Sequence, residues 1–194
     1  MTSSPTQDAG LLLLRLGVGG VLFAHGAQKL FGWFGGHGLD GTAGAFEQMG
    51  FTPGRPSAIA AGLAEAGGGT LVALGLATPV AGSITTGNML AATSIHIPNG
   101  LFAAQGGYEF PALLGLSSAA LSLTGPGEWS LDAMLGHRLN RPWMAMVGLS
   151  VSTAVSAMVI ARRRAAVAAA QAIPAAEAPA DSPQTPAATA EATV

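Results

Sequence analysis

The chain has 194 residues, of which 49% are hydrophobic and only 9% are charged, and its mean hydropathy is +0.46. Soluble domains average about 25% charged residues, so this composition indicates an integral membrane protein. The formal net charge of −2 argues against a nucleic-acid partner, which would favour a basic surface. The chain contains no cysteine, which excludes thiolate metal sites, iron–sulfur ligation and disulfide exchange by its own residues.

Five segments are apolar and long enough to be predicted as membrane helices. They cover residues 9–31, 56–76, 79–97, 108–124 and 143–161. The first follows MTSSPTQD, which has no basic residue, so we expect it to stay in place as a helix and not be cleaved as a signal peptide. The second and third are separated by a hinge of about three residues ending at Pro79, which predicts an antiparallel hairpin.

These segments predict an all-α fold, a polytopic membrane four-helix bundle with a fifth C-terminal transmembrane helix. The domain prediction is a short tail over 1–8, a four-helix core over 9–135, a loop and fifth helix over 136–164, and a disordered Ala/Pro-rich tail over 165–194. Arg162, Arg163 and Arg164 are expected to stop the fifth helix. The distribution of Lys and Arg predicts an external N-terminus and a cytoplasmic C-terminus in a multi-pass protein.

Polar residues are predicted to converge in one half of this bundle. His25 and Lys29 are four residues apart and share one helix face. At 1.5 Å per residue, His25 lies roughly 9 Å from the membrane face at which the first helix ends, and Glu65 and Asn88 each lie roughly 14 Å from it. The candidate ligand site comprises His25, Gln28, Lys29, Trp33, Glu65, Asn88, His96, Tyr108 and Glu109.

Ionisable groups at membrane depth are costly, so each of them is a candidate for function or for pairing. Glu65 is expected to pair with His25, and His25 could carry protons, bind a quinone oxygen or hold Glu65. Arg15 is interpreted as a structural charge close to the opposite membrane face. The histidines at positions 25, 37, 96 and 137 match no metal-binding spacing, so no metal site is predicted.

Several motifs give the chain a family resemblance. They are HGAQKLFGWFGGHGLDGT at 25–42, FEQMGFTP at 46–53, AEAGGG at 64–69, HIPNGLFAAQGGYEFP at 96–111 and GPGEWSLD at 125–132. With them the chain resembles the DoxX family of small bacterial membrane proteins over residues 10–135. The resemblance implies a four-helix membrane core in the bacterial plasma membrane and a link to membrane oxidoreductases that handle sulfur compounds or oxidative stress.

The leading functional hypothesis is a membrane subunit or docking partner of a quinone-linked oxidoreductase assembly. Its partners would be the lipid bilayer and a protein of a membrane redox complex, and its candidate ligand is a quinone, with no covalently bound cofactor. Two alternatives are a non-catalytic membrane adaptor or assembly factor and a small-solute carrier. The sequence leaves open whether the chain is an enzyme.

Overall fold

The computed structural model describes residues 4–172, and within that range the protein is helical without strands. The helices are α1 (Pro5–Phe31), α2 (Gly38–Gln48), α3 (Gly54–Leu74), α4 (Thr78–His96), α5 (Glu109–Thr124), α6 (Leu131–Met134) and α7 (Pro142–Ala172). The all-α class and the bundle are therefore confirmed.

Local sequence signals explain where the long helices begin and end. Ser4 and Gln7 form a capping box at the start of α1, in which the Ser4 hydroxyl accepts from the Gln7 amide and the Gln7 side chain accepts from the Ser4 amide. Gly32 and Gly75 end α1 and α3 in the left-handed conformation, which glycine adopts without steric cost. Each predicted span in the core matches a helix to within about two residues at its ends, which is the usual uncertainty of helix boundaries, except that α1 begins at Pro5 and not at residue 9.

Small residues set the helix packing. A Cβ atom on Gly26 would lie 2.2 Å from the Ala66 amide nitrogen, and one on Gly69 would lie 2.7 Å from the Gly19 carbonyl oxygen. The backbones of α1 and α3 are thus in direct contact, as is typical of membrane helices. α3 also packs on α4, and α4 packs on α5, which closes the four-helix core.

α7 lies against the outer face of α4 and is the fifth helix of the prediction. The contact again uses small residues, since the Ser156 hydroxyl donates to the Gly87 carbonyl at 2.6 Å. The helix continues past the arginine triplet to Ala172, and the triplet as the end of the membrane-spanning part stays a prediction. Residues 165–172 are therefore helical, and the remainder of the predicted disordered tail, 173–194, lies outside the described residues. Alanine has the highest helix propensity, which explains why the Ala-rich sequence extends the helix.

The connection over 32–55 is more ordered than its Gly-rich sequence suggests. It contains α2, which packs on α1 and α3 and was not expected from the sequence. The turn from α2 into α3 is fixed by Glu47, whose carboxylate accepts from the Gly54 amide at the start of α3. Arg163 of α7 donates to the Met49 carbonyl at 2.9 Å and lies over the Phe51 ring, so the end of α7 also holds this turn.

Membrane-crossing capacity is uneven among the helices. Within residues 4–172, α1, α3 and α7 are long and apolar enough to cross a bilayer. α5 has 16 residues, fewer than the roughly 20 that span the hydrocarbon core. α4 carries several Thr and Ser side chains and one Asn, which lower its hydropathy. That α4 and α5 also cross remains a prediction.

Candidate functional site

An ion pair joins α1 to α3 near the end of α1. The Lys29 ammonium lies 2.5 Å from Oε2 of Glu65, and the second carboxylate oxygen accepts from the Asn88 side chain of α4 at 3.1 Å. The Glu65 side chain is 4% exposed, whereas that of Lys29 is 24% exposed. Both oxygens of the buried carboxylate are therefore occupied, and three helices are joined by one acidic side chain.

The predicted pairing of Glu65 with His25 is thus wrong. Glu65 pairs with the ammonium of Lys29, because a full positive charge stabilises a buried carboxylate more strongly than a neutral imidazole does. His25 has no hydrogen-bond partner among residues 4–172, and its ring instead contacts Phe110 of α5, with the centroids 5.5 Å apart.

A cavity of about 150 Å³ lies beside this ion pair, between α1, α3, α4 and α5. His25 and Lys29 line it from α1, Glu65 from α3 and His96 from α4. The rest of the lining is apolar and comprises Leu22, Met89, Ala92, Phe110, Pro111 and Leu114. α1 and α5 make only slight contact, and the His25–Phe110 ring pair lies between these two helices.

His96 connects the cavity to the loop that follows α4. Its Nδ1 lies 2.8 Å from the Gly106 carbonyl oxygen. A carbonyl only accepts, so Nδ1 carries a hydrogen and donates it. The Asn99 side chain donates to the same carbonyl at 3.2 Å. The loop is also fixed by Glu109, whose carboxylate accepts from the Ala103 amide at 2.7 Å.

The remaining predicted site residues lie outside the cavity lining. Gln28 donates to the Phe34 carbonyl at 3.2 Å and so supports the loop after α1. Trp33 is 53% exposed and contacts the rings of Phe23, Phe31 and Phe34. Tyr108 precedes α5, and Glu109 is occupied by the loop. The structure therefore brings together His25, Lys29, Glu65 and His96 at the cavity, with Asn88 behind Glu65.

Sequence reasoning missed the aromatic wall of the cavity. Phe110 was not singled out, although it lies two residues from Tyr108 at the start of an apolar helix. The sequence offered one indication of this role. Phe110 directly follows the candidate Glu109 in the first turn of the helix, where an aromatic ring can face a neighbouring helix. Nothing in the sequence marked Met89 and Leu114 as cavity residues, because apolar residues occur throughout a membrane helix.

Arg15 forms a second buried polar group in the opposite half of the bundle. Its side chain is fully buried, and Nη2 donates to the Trp129 carbonyl at 2.6 Å. Its guanidinium packs directly against Gly75, where no side chain would fit. Asp132, also fully buried, accepts from the amides of Ala77 and Thr78 and so caps α4. Arg15 is therefore buried and held by the loop over 125–130.

Comparison with known proteins places the chain in a family. The family model described as DoxX matches residues 10–98. A Bacillus subtilis (strain 168) protein named "Putative oxidoreductase CatD" is 34% identical over 125 residues, which cover 64% of this chain and 86% of that protein. The chain belongs to the DoxX family. No solved structure matches it significantly.

Membership confirms the resemblance carried by the motifs, and the apolar helices agree with a membrane protein of this family. The DoxX match covers α1 from residue 10 onwards together with α2, α3 and α4, and hence all four polar residues that line the cavity. α7 lies beyond the matched segment. The candidate site thus belongs to the part of the chain that the family model describes, apart from the wall that α5 contributes.

Proposed function

We propose that this DoxX protein is a membrane subunit of a quinone-linked oxidoreductase assembly in the bacterial plasma membrane, and that a quinone ring binds in the cavity beside Lys29 and Glu65. The observation that carries the proposal is an apolar cavity lined by a few polar side chains, one of which, His25, has no hydrogen-bond partner within the described residues. Apolar walls with a small number of orienting polar groups are typical of small-molecule sites.

The size of the cavity supports a single six-membered ring. A cavity of about 150 Å³ in another protein is known to accept benzene. The cavity here has about that volume, so it fits the head of a quinone and leaves the isoprenoid tail outside. The slight contact between α1 and α5 gives the tail a route to the lipid.

The charge of the site supports a neutral ligand. Lys29 and Glu65 form a pair with no net charge, so the cavity offers no excess charge for an ionic ligand. The ammonium group has three hydrogens and Glu65 uses one of them, which leaves donors for a carbonyl oxygen. His25 offers a further nitrogen at the same wall.

The name of the Bacillus subtilis relative describes an oxidoreductase, which agrees with a redox ligand. This chain carries no cysteine, so thiolate-bound redox centres would have to belong to another subunit. In this proposal the DoxX protein supplies the quinone site, and a protein partner of the assembly supplies the electrons.

The proposal is tested by quinone binding to the purified full chain in lipid nanodiscs. A short-chain 1,4-benzoquinone, whose head is a single six-membered ring, should bind saturably, as measured by titration calorimetry against empty nanodiscs. His25→Ala should weaken binding by about tenfold, the equivalent of one good hydrogen bond. The matched control is His37→Ala, because His37 lies in the exposed loop before α2.

Absence of saturable binding to the unaltered chain would overturn the proposal and favour the adaptor hypothesis. Equal losses in His25→Ala and His37→Ala would show that the quinone does not occupy this cavity.

A further inference from the structure

His96 has two nitrogens in different situations. Nδ1 donates to the Gly106 carbonyl, which fixes the tautomer of the neutral ring. Nε2 has no hydrogen-bond partner within residues 4–172, and the side chain lines the cavity. The free nitrogen of the neutral ring is therefore an acceptor.

The other polar groups of the cavity differ from His96 in this respect. Lys29 carries only donors, and both oxygens of Glu65 are occupied by Lys29 and Asn88. A ligand carbonyl can be satisfied by Lys29 or by His25. A ligand hydroxyl needs an acceptor. No hydrogen bond within residues 4–172 fixes the tautomer of His25, whereas the bond to Gly106 holds His96 with Nε2 as its acceptor.

We propose that His96 is the residue that binds the hydroxyl group of the reduced ligand, a quinol, through Nε2, while Lys29 donates to a carbonyl of the oxidised quinone. This inference rests on the proposed function and extends it, because it assigns the two redox forms of one ligand to different side chains. No covalent bond changes in this binding step: the quinol O–H group donates a hydrogen bond, and the hydrogen stays on the oxygen.

Position also favours His96 for this role. It occupies the last turn of α4 and is half-buried, and the same side chain lines the cavity and bonds to the loop over 98–107. A quinol hydroxyl bound there lies near the end of the bundle and beside polar backbone. The carbonyl of Gly106 acts as a positioning group, because it holds the imidazole in the tautomer that accepts.

Two substitutions separate the cavity role of His96 from its role in holding the loop. The amide of asparagine can reproduce the position of Nδ1, so His96→Asn keeps a donor for the Gly106 carbonyl and removes the cavity nitrogen. Glutamine reaches the position of Nε2, so His96→Gln keeps a polar atom at the cavity and gives up the bond to the loop.

The test measures binding of a short-chain 1,4-benzoquinone and of the corresponding benzoquinol to the full chain in nanodiscs, the latter under anaerobic reducing conditions. We expect His96→Asn to weaken quinol binding by about threefold to tenfold while quinone binding stays within about twofold of the unaltered chain. His96→Gln should retain more of the quinol affinity than His96→Asn does.

The opposite order, with quinol binding kept by His96→Asn and lost by His96→Gln, would show that His96 acts by holding the loop, and would overturn the inference. Equal weakening of both redox forms by His96→Asn would overturn it as well. Either result leaves the proposed quinone site intact, whereas failure of the unaltered chain to bind quinone removes the proposed function itself.

Discussion

Glu65 is the residue on which the candidate site depends. Its carboxylate is buried, and it accepts from Lys29 of α1 and Asn88 of α4 while its backbone belongs to α3. Burial of a charge is tolerated when the charge is paired and its remaining hydrogen-bonding positions are filled, and both conditions hold here. His25 is thereby left free of the ion pair, which makes it available to a ligand.

Removal of Lys29 should be far more damaging than the loss of a surface charge. Lys29→Met leaves the Glu65 carboxylate buried without its cation, and breaking a buried pair costs about 3–5 kcal/mol of the free energy of unfolding. Glu65→Gln should cost less, because an amide can still bond to Asn88 and Lys29 can reach water through its exposed part. The measurement is unfolding of the detergent-solubilised protein by titration with sodium dodecyl sulfate.

The matched control for this change is the ion pair of Arg55 with Asp40, whose side chains are 60% and 87% exposed. Exposed pairs contribute about 0–1 kcal/mol, so Arg55→Gln should leave stability nearly unchanged. If Lys29→Met and Arg55→Gln proved equally mild, Glu65 would not depend on Lys29 for its burial.

At the scale of elements, the positions of the long apolar helices were predictable from the sequence, whereas α2 and the pairings of polar side chains were not. Apolar runs and flanking Gly and Pro residues place the helices, because these signals act locally. The partner of Glu65 depends on side-chain length and rotation about α1, which depth along the axis does not determine. Similarly, Asp132 caps α4 from more than 50 positions along the chain, so no local sequence pattern predicts this contact.

The contact between α1 and α3 gives an element-scale prediction. Gly26→Ala places a methyl group within 2.2 Å of the Ala66 amide nitrogen, so the two backbones must separate. Overpacking of this kind costs about 1–3 kcal/mol of the free energy of unfolding. The separation of the helices would also disturb the ion pair of Lys29 and Glu65, because both residues lie close to this contact. A lower thermal unfolding temperature in detergent, followed by circular dichroism, is the expected result.

Gly20 on the same helix is the control, because a Cβ atom there meets nothing within 4 Å. Gly20→Ala should be neutral or slightly stabilising, since alanine is the better helix former by about 1 kcal/mol. Indistinguishable unfolding temperatures for Gly26→Ala and Gly20→Ala would show that the close backbone contact is not needed for stability.

On the scale of the whole molecule, the polar clusters lie in opposite halves of the bundle. Lys29, Glu65 and His96 line the cavity near the end of α1, whereas Arg15 and Asp132 hold the loop after α5 against the other end. One cluster faces a cavity, and the other is enclosed by backbone. Function is therefore assigned to the first cluster, and a role in closing the bundle fits the second.

The topology of the molecule can be tested with single cysteines, because the chain has none of its own. Four exposed positions sample the ends of the helices: Thr6, Ala104, Arg138 and Ala168. If α1, α3, α4, α5 and α7 all cross the bilayer with the N-terminus outside, a membrane-impermeant maleimide should label Thr6→Cys and Arg138→Cys in bacterial cells made permeable only in the outer membrane. Ala104→Cys and Ala168→Cys should react only after the plasma membrane is opened.

Labelling of Ala104→Cys together with Thr6→Cys would instead mean that α4 and α5 enter the bilayer without crossing it, as three spans would require. A fully reversed pattern would keep five spans and overturn the orientation that the arginines predict.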